Sequence, residues 1–305
     1  MKKTKGIFFT TALALVITGC SSAEEEYEFV KADREQIDHI HGAGYPNNGD
    51  DFFLATHDGL MKYSEGEWLE ANSNKHDYMG FQPYDEGFYS SGHPEQGSDL
   101  ENPLGLIKSK DQGASIEKLA FYGETDFHYL AAGYGSGVIY VINQHPNSEL
   151  DKGFYVTEDE GETWKKMSMA GFNSESIGNI AAHPSDKNVV AIGGKDGVFF
   201  SDDQGENFTQ VADTSMVTSV AMNKDNGLIA SIQQDGIQLL DWNVSEGSVS
   251  PFPTPSLEGD NPIMYIAPHP QNEQGWTIVT YKNEIYTTED NGENWKDISD
   301  IGENS

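Results

Sequence analysis

Thr157 to Trp164 reads TEDEGETW, and the chain repeats it. SDDQGENF begins at Ser201, TEDNGENW begins at Thr288, and a worn copy, SKDQGASI, begins at Ser109. The aspartates of these copies, Asp111, Asp159, Asp203 and Asp290, lie 48, 44 and 87 residues apart, the last gap being close to two periods. A degenerate copy, NVSEGSV, fills the missing place at Asn243 to Val249, and YSEGEW at Tyr63 to Trp68 stands one period before Asp111. Six periods of about 45 residues then fill the chain from Ile37 onward, and a fixed period of this length indicates a propeller or a solenoid.

Within a period the pattern is all β. Ile177 to Phe208 shows short apolar runs, IGNIAA, VVAIGG and GVFFSD, separated by Pro-Ser-Asp, Gly-Gly-Lys-Asp-Gly and Asp-Gln-Gly turns. Helical spacing is not sustained anywhere beyond the N-terminal apolar run. Four short strands A to D per repeat, six times over, describe an all-β, six-bladed β-propeller. A seven-bladed ring is the alternative if two blades are merged within the long second and third repeats. Tyr27 to Ala32, YEFVKA, reads as an extra edge strand.

The repeat sits at the turn between strands C and D. A short Asp side chain can accept hydrogen bonds from the backbone N–H groups of a turn, and Gly permits positive φ. The Ser or Thr hydroxyl ties to the same turn, and the aromatic is placed to wedge between blades. Each part has a structural task, which reads as a clamp in preference to a calcium loop. The pattern Ser/Thr-x-Asp-x-Gly-x-x-Trp/Phe resembles the Asp-box, or BNR repeat, of sialidase-like propellers, sortilin-type receptors, xyloglucan hydrolases and photosystem assembly propellers. Thr157, Asp159, Gly161 and Trp164 match it, as do Thr288, Asp290, Gly292 and Trp295, while Ser201, Asp203, Gly205 and Phe208 match with the aromatic variant. The fourth copy keeps Ser109, Asp111 and Gly113 but has Ile116 in place of the aromatic.

The chain begins with Lys2, Lys3 and Lys5 and the apolar run Ile7 to Ile17, too short to span a bilayer and suited to a signal-peptide core. ITGC ends it, a resemblance to a bacterial lipobox that implies cleavage after residue 19 and lipidation of Cys20. With the repeats, this resembles a family of Gram-positive lipoproteins labelled glycosyl hydrolase. Cys20 is the only cysteine, so a disulfide within the chain is excluded and the fold rests on its core. The expected organisation is a signal over 1–19, an acidic tether over 20–35, one propeller over 36–300 and a tail over 301–305. The implied location is the extracellular face of the cytoplasmic membrane, the protein held there as a monomer by its lipid.

A formal net charge of −32 repels nucleic acid and anionic lipid surfaces. Arg34 is the only arginine and lies in the tether. A sialidase grips its substrate carboxylate with an arginine triad, so sialidase activity is excluded. Phosphate-cradling Gly-Lys-Ser/Thr loops, Gly-x-Ser-x-Gly elbows and zinc-binding cysteine pairs are absent from the sequence.

In propellers of the resembled kind the ligand mouth lies opposite the boxes, at the starts of the A strands and the B–C loops. Seven of the nine histidines map there in blades 1 to 3: His39, His41, His76 and His128 before or in A strands, and His57, His93 and His145 in B–C loops. Ser90 to Leu106 and Asn143 to Phe154 are long loops, where binding residues tend to sit on a rigid scaffold. His39 and His41 alternate with Ile40, so a strand would turn both rings to one side. Imidazole with carboxylate suits zinc or copper(II), and His39, His41, His76 and His128 are the expected donors. Met61, Met79 and Met264 are further candidates for a softer copper site. His39, His41, Tyr78 and Tyr129 are the expected ligand-binding residues, with Tyr45, Tyr84, Tyr89 and Tyr134 as further parts of a sugar-stacking wall. The alternative is a glycosidase for a neutral glycan, which needs two carboxylates across the scissile bond; Asp38 and Asp77 lead, with Asp126, Glu86, Glu95 and Glu101 behind them. A surface protein is the third kind of partner.

Overall fold

The computed structural model describes residues 26–33, 37, 39–212, 214 and 216–301. Among them, six antiparallel sheets follow one another along the chain, five of four strands and one of five. The ring therefore has six blades, and the seven-bladed alternative is excluded. The one helical element among the described residues is a short 3-10 turn, Pro46–Asn48. Blade 4 shows how literally the repeat is built: its strands are Ile177–Ala182, Val190–Gly194, Gly197–Ser201 and Thr209–Ala212.

Strand B of each blade is pressed from both sides, so it reads as a continuous apolar run where an alternating pattern would mark a half-solvated strand. FFLAT in blade 1 (Phe52–Thr56), IYVIN in blade 3 (Ile139–Asn143) and WTIVT in blade 6 (Trp276–Thr280) are buried throughout. Successive side chains on a strand leave opposite faces, and blade 1 divides its strand accordingly. Phe52 and Leu54 join a cluster with Val279 and Ile285 of blade 6, while Phe53 and Ala55 join Tyr78 and Phe88 of blade 2. Each interface between neighbouring blades has one such cluster.

The ring closes by packing. Blade 6 (Ile263–Pro268, Trp276–Thr280, Ile285–Thr288, Lys296–Asp297) takes all four strands from the C-terminal part of the chain, with no strand exchanged with blade 1. Trp68, 2% exposed, lies in the seam and donates its indole N–H to Ile298 O at 2.7 Å. Phe29–Lys31 adds a fifth strand to the outer edge of blade 1, pairing Phe29 with Ala71 and Lys31 with Leu69. The expected edge strand is thus formed, and the sheet reaches back into the stretch read as tether. Residues 1–25, with the signal and Cys20, and residues 302–305 lie outside the described residues.

The repeated turns are closed by their own side chains. Thr157 Oγ1 donates to Asp159 Oδ1 at 2.8 Å and accepts from Gly161 N at 2.9 Å. Asp159 also accepts from Thr163 N at 2.8 Å and Thr163 Oγ1 at 2.6 Å. The same four bonds recur around Asp203, Asp290 and Asp111. The copy ending in Ile116 is therefore structurally whole. Bonds from Thr163, Asn207 and Asn294 hold the carboxyls of Asp159, Asp203 and Asp290 below their usual value. Burial opposes this at Asp111, but bonds from Ser115 still bring it below. Glu160 and Gly161 both take left-handed backbone, φ 55° and 91°. A Cβ on Gly161 would also come within 2.9 Å of Ala120 Cβ in blade 2, so the turn needs glycine for its conformation and for its seat against the preceding blade. Trp164 wedges there as expected, its ring 5.8 Å from that of Phe121 and 6.2 Å from that of Phe127.

Candidate functional site

The A strands of all six blades line a cavity of about 460 Å³ along the ring axis. His41 and His128 line it at the end where the A strands begin, together with Tyr129 and Met264. Here the strands are irregular: register shifts fall between Ile40 and Gly42 in blade 1 and between Met79 and Gln82 in blade 2. Such bulges re-aim side chains at a rim. His39, in left-handed backbone with φ 36°, and His41 both flank His57, at ring separations of 6.3 and 6.2 Å.

Asp77 opens strand A of blade 2 (Asp77–Tyr84) and faces two imidazoles of blade 1. Its Oδ1 is 3.3 Å from His41 Nε2, and its Oδ2 is 3.0 Å from His57 Nδ1. One donor atom from each of His41, His57 and Asp77 lies within 4.8 Å of the others. His41 Nε2 and Asp77 Oδ1 are both buried and neither has a hydrogen-bond partner. Burial pushes the His41 imidazole below its ordinary value; Asp77 draws it up, and His57, His39 and His128 press it down again.

A related arrangement follows one blade on. Asp126 Oδ2 is 3.3 Å from His93 Nε2, at the end of strand B of blade 2 (Gly87–His93), and 3.3 Å from His128 Nδ1. Burial raises the Asp126 carboxyl, and His128 and His93 oppose the rise. Four of the seven front-half histidines, His41, His57, His93 and His128, thus face two aspartates, and His39 stands beside His57.

Other expectations are corrected. His76 is buried at 4% exposure and its Nδ1 accepts from Glu95 N at 2.9 Å, which holds the B–C loop of blade 2 to strand A. It is a structural histidine, and burial lowers its pKa. Tyr78 is fully buried between blades 1 and 2 and cannot meet a ligand. Tyr84 and Tyr89 are also core residues, so of the expected aromatic wall the largely buried Tyr45 borders the cavity together with Tyr129 and Tyr134. Glu86 bonds Lys110 at 2.5 Å beside a repeated acidic turn, on the opposite side of the ring from the mouth. Met61 is core, whereas Met264 is 37% exposed. His145 is exposed. Asp38 lies outside the described residues. The sequence reading placed His57, His93 and Asp126 on this face without choosing them as metal donors. The signal was in the repeat: THDG of blade 1 occupies the turn that reads GKDG in blade 4, so an imidazole stands where another blade has a lysine.

A family model described as Sortilin, neurotensin receptor 3, matches residues 105–240, less than half of the chain. No curated protein matches it. Solved structures do: the GH74 xyloglucanase from Xanthomonas campestris aligns with a TM-score of 0.56 and 14% identity, covering 89% of this chain and 46% of its own. YCF48 from Cyanidioschyzon merolae aligns with a TM-score of 0.52 and 14% identity, covering 91% and 90%. The tricorn protease aligns with a TM-score of 0.60 and 13% identity, covering 88% and 27%. The chain spans about half the length of this xyloglucanase and of the GH74 enzyme from Niastella koreensis. At these identities the likeness establishes the β-propeller fold.

Proposed function

We propose that this is a bacterial lipoprotein, anchored through Cys20 at the outer face of the cytoplasmic membrane, whose Asp-box propeller binds a divalent transition metal, zinc or copper, at the mouth of blades 1 to 3. The observation that carries the reading is the meeting of His41, His57 and Asp77 from two blades, with His41 Nε2 and Asp77 Oδ1 buried 3.3 Å apart and neither engaged in a hydrogen bond. Two donors each about 2.1 Å from a tetrahedral ion lie about 3.4 Å apart, close to the 3.3 and 3.0 Å found around Asp77. Two imidazoles and a carboxylate suit zinc or copper(II). Three protein donors leave a coordination position for water or a ligand, and the acidic surface concentrates cations around it.

The test is calorimetric titration of the full chain, in detergent and stripped by chelator, with zinc and with copper(II). Saturable uptake that Asp77→Asn reduces supports the reading, and absence of uptake, or uptake that Asp77→Asn leaves unchanged, ends it. A second reading is favoured by two mostly buried carboxylates, Asp77 and Asp126, at the mouth of a cavity that Tyr129 lines. This arrangement, with the likeness to xyloglucanases, supports hydrolysis of a neutral glycan through a carboxylate pair. Turnover of neutral glycans that survives in both Asp77→Asn and Asp126→Asn would remove it.

A further inference from the structure

The Asp126 group resembles the first site in how it is assembled. In each case a histidine from the B–C connection of one blade reaches the aspartate at the entry to the next: His57 meets Asp77, and His93 meets Asp126. A second imidazole faces each aspartate, His41 in the first group and His128 in the second. The first three donors already lie within 4.8 Å of one another, while those of the second are set wider, so that its exposed rings must turn inward to meet on one ion. Asp77 and His93 are register partners across strands A and B of blade 2, which sets the two groups side by side.

His93 shows what the second group lacks. Its Nδ1 lies 2.7 Å from Asn102 Oδ1, and a carboxamide oxygen only accepts, so Nδ1 carries the proton. In the neutral ring Nε2 then presents a lone pair to Asp126 Oδ2 at 3.3 Å. Two acceptors facing each other at this distance repel unless a cation lies between them. His128 Nδ1 approaches the same oxygen at 3.3 Å, and Asp126 Oδ1 is buried without a partner. An imidazole whose far N–H is held by a carbonyl oxygen is the arrangement that fixes tautomer and ring orientation in metal-ligating histidines.

We infer that Asp126, His93 and His128 form a second transition-metal site beside the first, with Asn102 as its positioning residue. The inference rests on reading the mouth as a metal-binding surface and deepens it: the protein holds two ions in adjacent sites. The donor set again suits zinc or copper(II). His93 and His128 are 44% and 48% exposed, so ions can enter from solvent and replacement of either ring leaves the core intact.

The experiment measures zinc bound per chain, by elemental analysis after equilibrium dialysis of the full chain in detergent. Wild type is expected to bind two equivalents, and Asp77→Asn and Asp126→Asn one each. His93→Ala should also bind one, which guards against misfolding of the aspartate variant. Asn102→Ala should keep both sites while weakening one about 10- to 100-fold, the usual cost of losing such a second partner. One equivalent that Asp77→Asn removes and Asp126→Asn spares overturns the second site and leaves the proposed function standing. One equivalent with the opposite dependence overturns the proposed placement at His41, His57 and Asp77. No bound zinc overturns both.

Discussion

The mouth has two halves built on one turn, and they treat charge differently. In blades 4 and 6 the B–C turn presents a lysine: Lys195 bonds Glu175 at 2.8 Å, and Lys282 bonds Glu258 at 2.7 Å and Asp260 at 2.8 Å. In blade 1 the same position is His57, facing Asp77 at 3.0 Å. Exposure differs as well. Glu175, Glu258 and Asp260 are more than 70% exposed, whereas Asp77 and Asp126 are 13% and 12% exposed. Lysine is a permanent cation that closes its acid off in solvent. Imidazole offers the buried carboxylate an N–H in one tautomer and, in the other, a lone pair that a metal ion can share with it. One scaffold thus yields exposed ion pairs in the back half and buried aspartates facing imidazoles in the front half.

The largest effect is expected where the halves join. Trp68→Ala removes a buried indole and its bond to Ile298 at the seam of blades 1 and 6. It should cost about 3–5 kcal/mol, read by denaturant unfolding, and should weaken metal binding without touching a donor. A change in stability under about 1 kcal/mol would mean that the seam does not hold the ring. Next comes conversion of one half into the other. His57→Lys places a cation beside Asp77 and should lower zinc affinity by more than the roughly 10- to 100-fold typical of a lost second partner, with the melting temperature unchanged. The reverse change, Lys195→His, should create no zinc site, because Glu175 is exposed and no second imidazole is found beside it among the described contacts. Retained affinity in His57→Lys would show that the difference between the halves carries no function.

Acid should separate the halves in the metal-free protein. His41 and His76 have pKa values lowered from 6.5 by burial. Such groups add stability above their unfolded value, and that stability is lost as the pH falls from about 6.5 through the folded values. His269, at the seam with blade 1, carries the same sign, while the raised Asp126 opposes it by favouring the folded state once protonated. The aspartates of the acidic turns are lowered from 3.8, so their contribution persists down to about 3.8 and is lost below it. Hydrogen exchange at pH 5.5 should therefore show blades 1 and 2 loosened while blades 4 and 5 remain protected; uniform loosening would contradict this. The smallest effect is expected from Lys195→Ala, which removes an exposed pair and should leave the melting temperature where it was.

The sequence carried the fold almost completely because the clamp is local. Serine or threonine, aspartate and glycine lie within five residues of one another, and strands measured from Asp203 fall where blade 4 has them. The polar residue four places after each aspartate, Ser115, Thr163, Asn207 or Asn294, was equally present and went unread; it supplies two of the bonds that close each turn. The site was legible as a face and less so as a set of donors. His41 does stand beside Asp77, whereas His76 and Tyr78, one residue to either side of Asp77, are buried, His76 against Glu95 and Tyr78 between blades 1 and 2. Period-two alternation predicts which side of a sheet a residue takes. Across His76, Asp77 and Tyr78 that alternation holds and separates the aspartate from its neighbours, but which of the two sides faces the mouth is set by the packing of blade 1 against blade 2.

The front half of the mouth is expected to take up a metal that the back half does not. The direct measurement is anomalous diffraction from crystals of the full chain equilibrated with zinc, recorded on both sides of the zinc absorption edge. A peak between His41 Nε2, His57 Nδ1 and Asp77, with none beside Lys195 or Lys282, is the predicted result. Peaks confined to other acidic surfaces, or no peak at the Asp77 position, would contradict it.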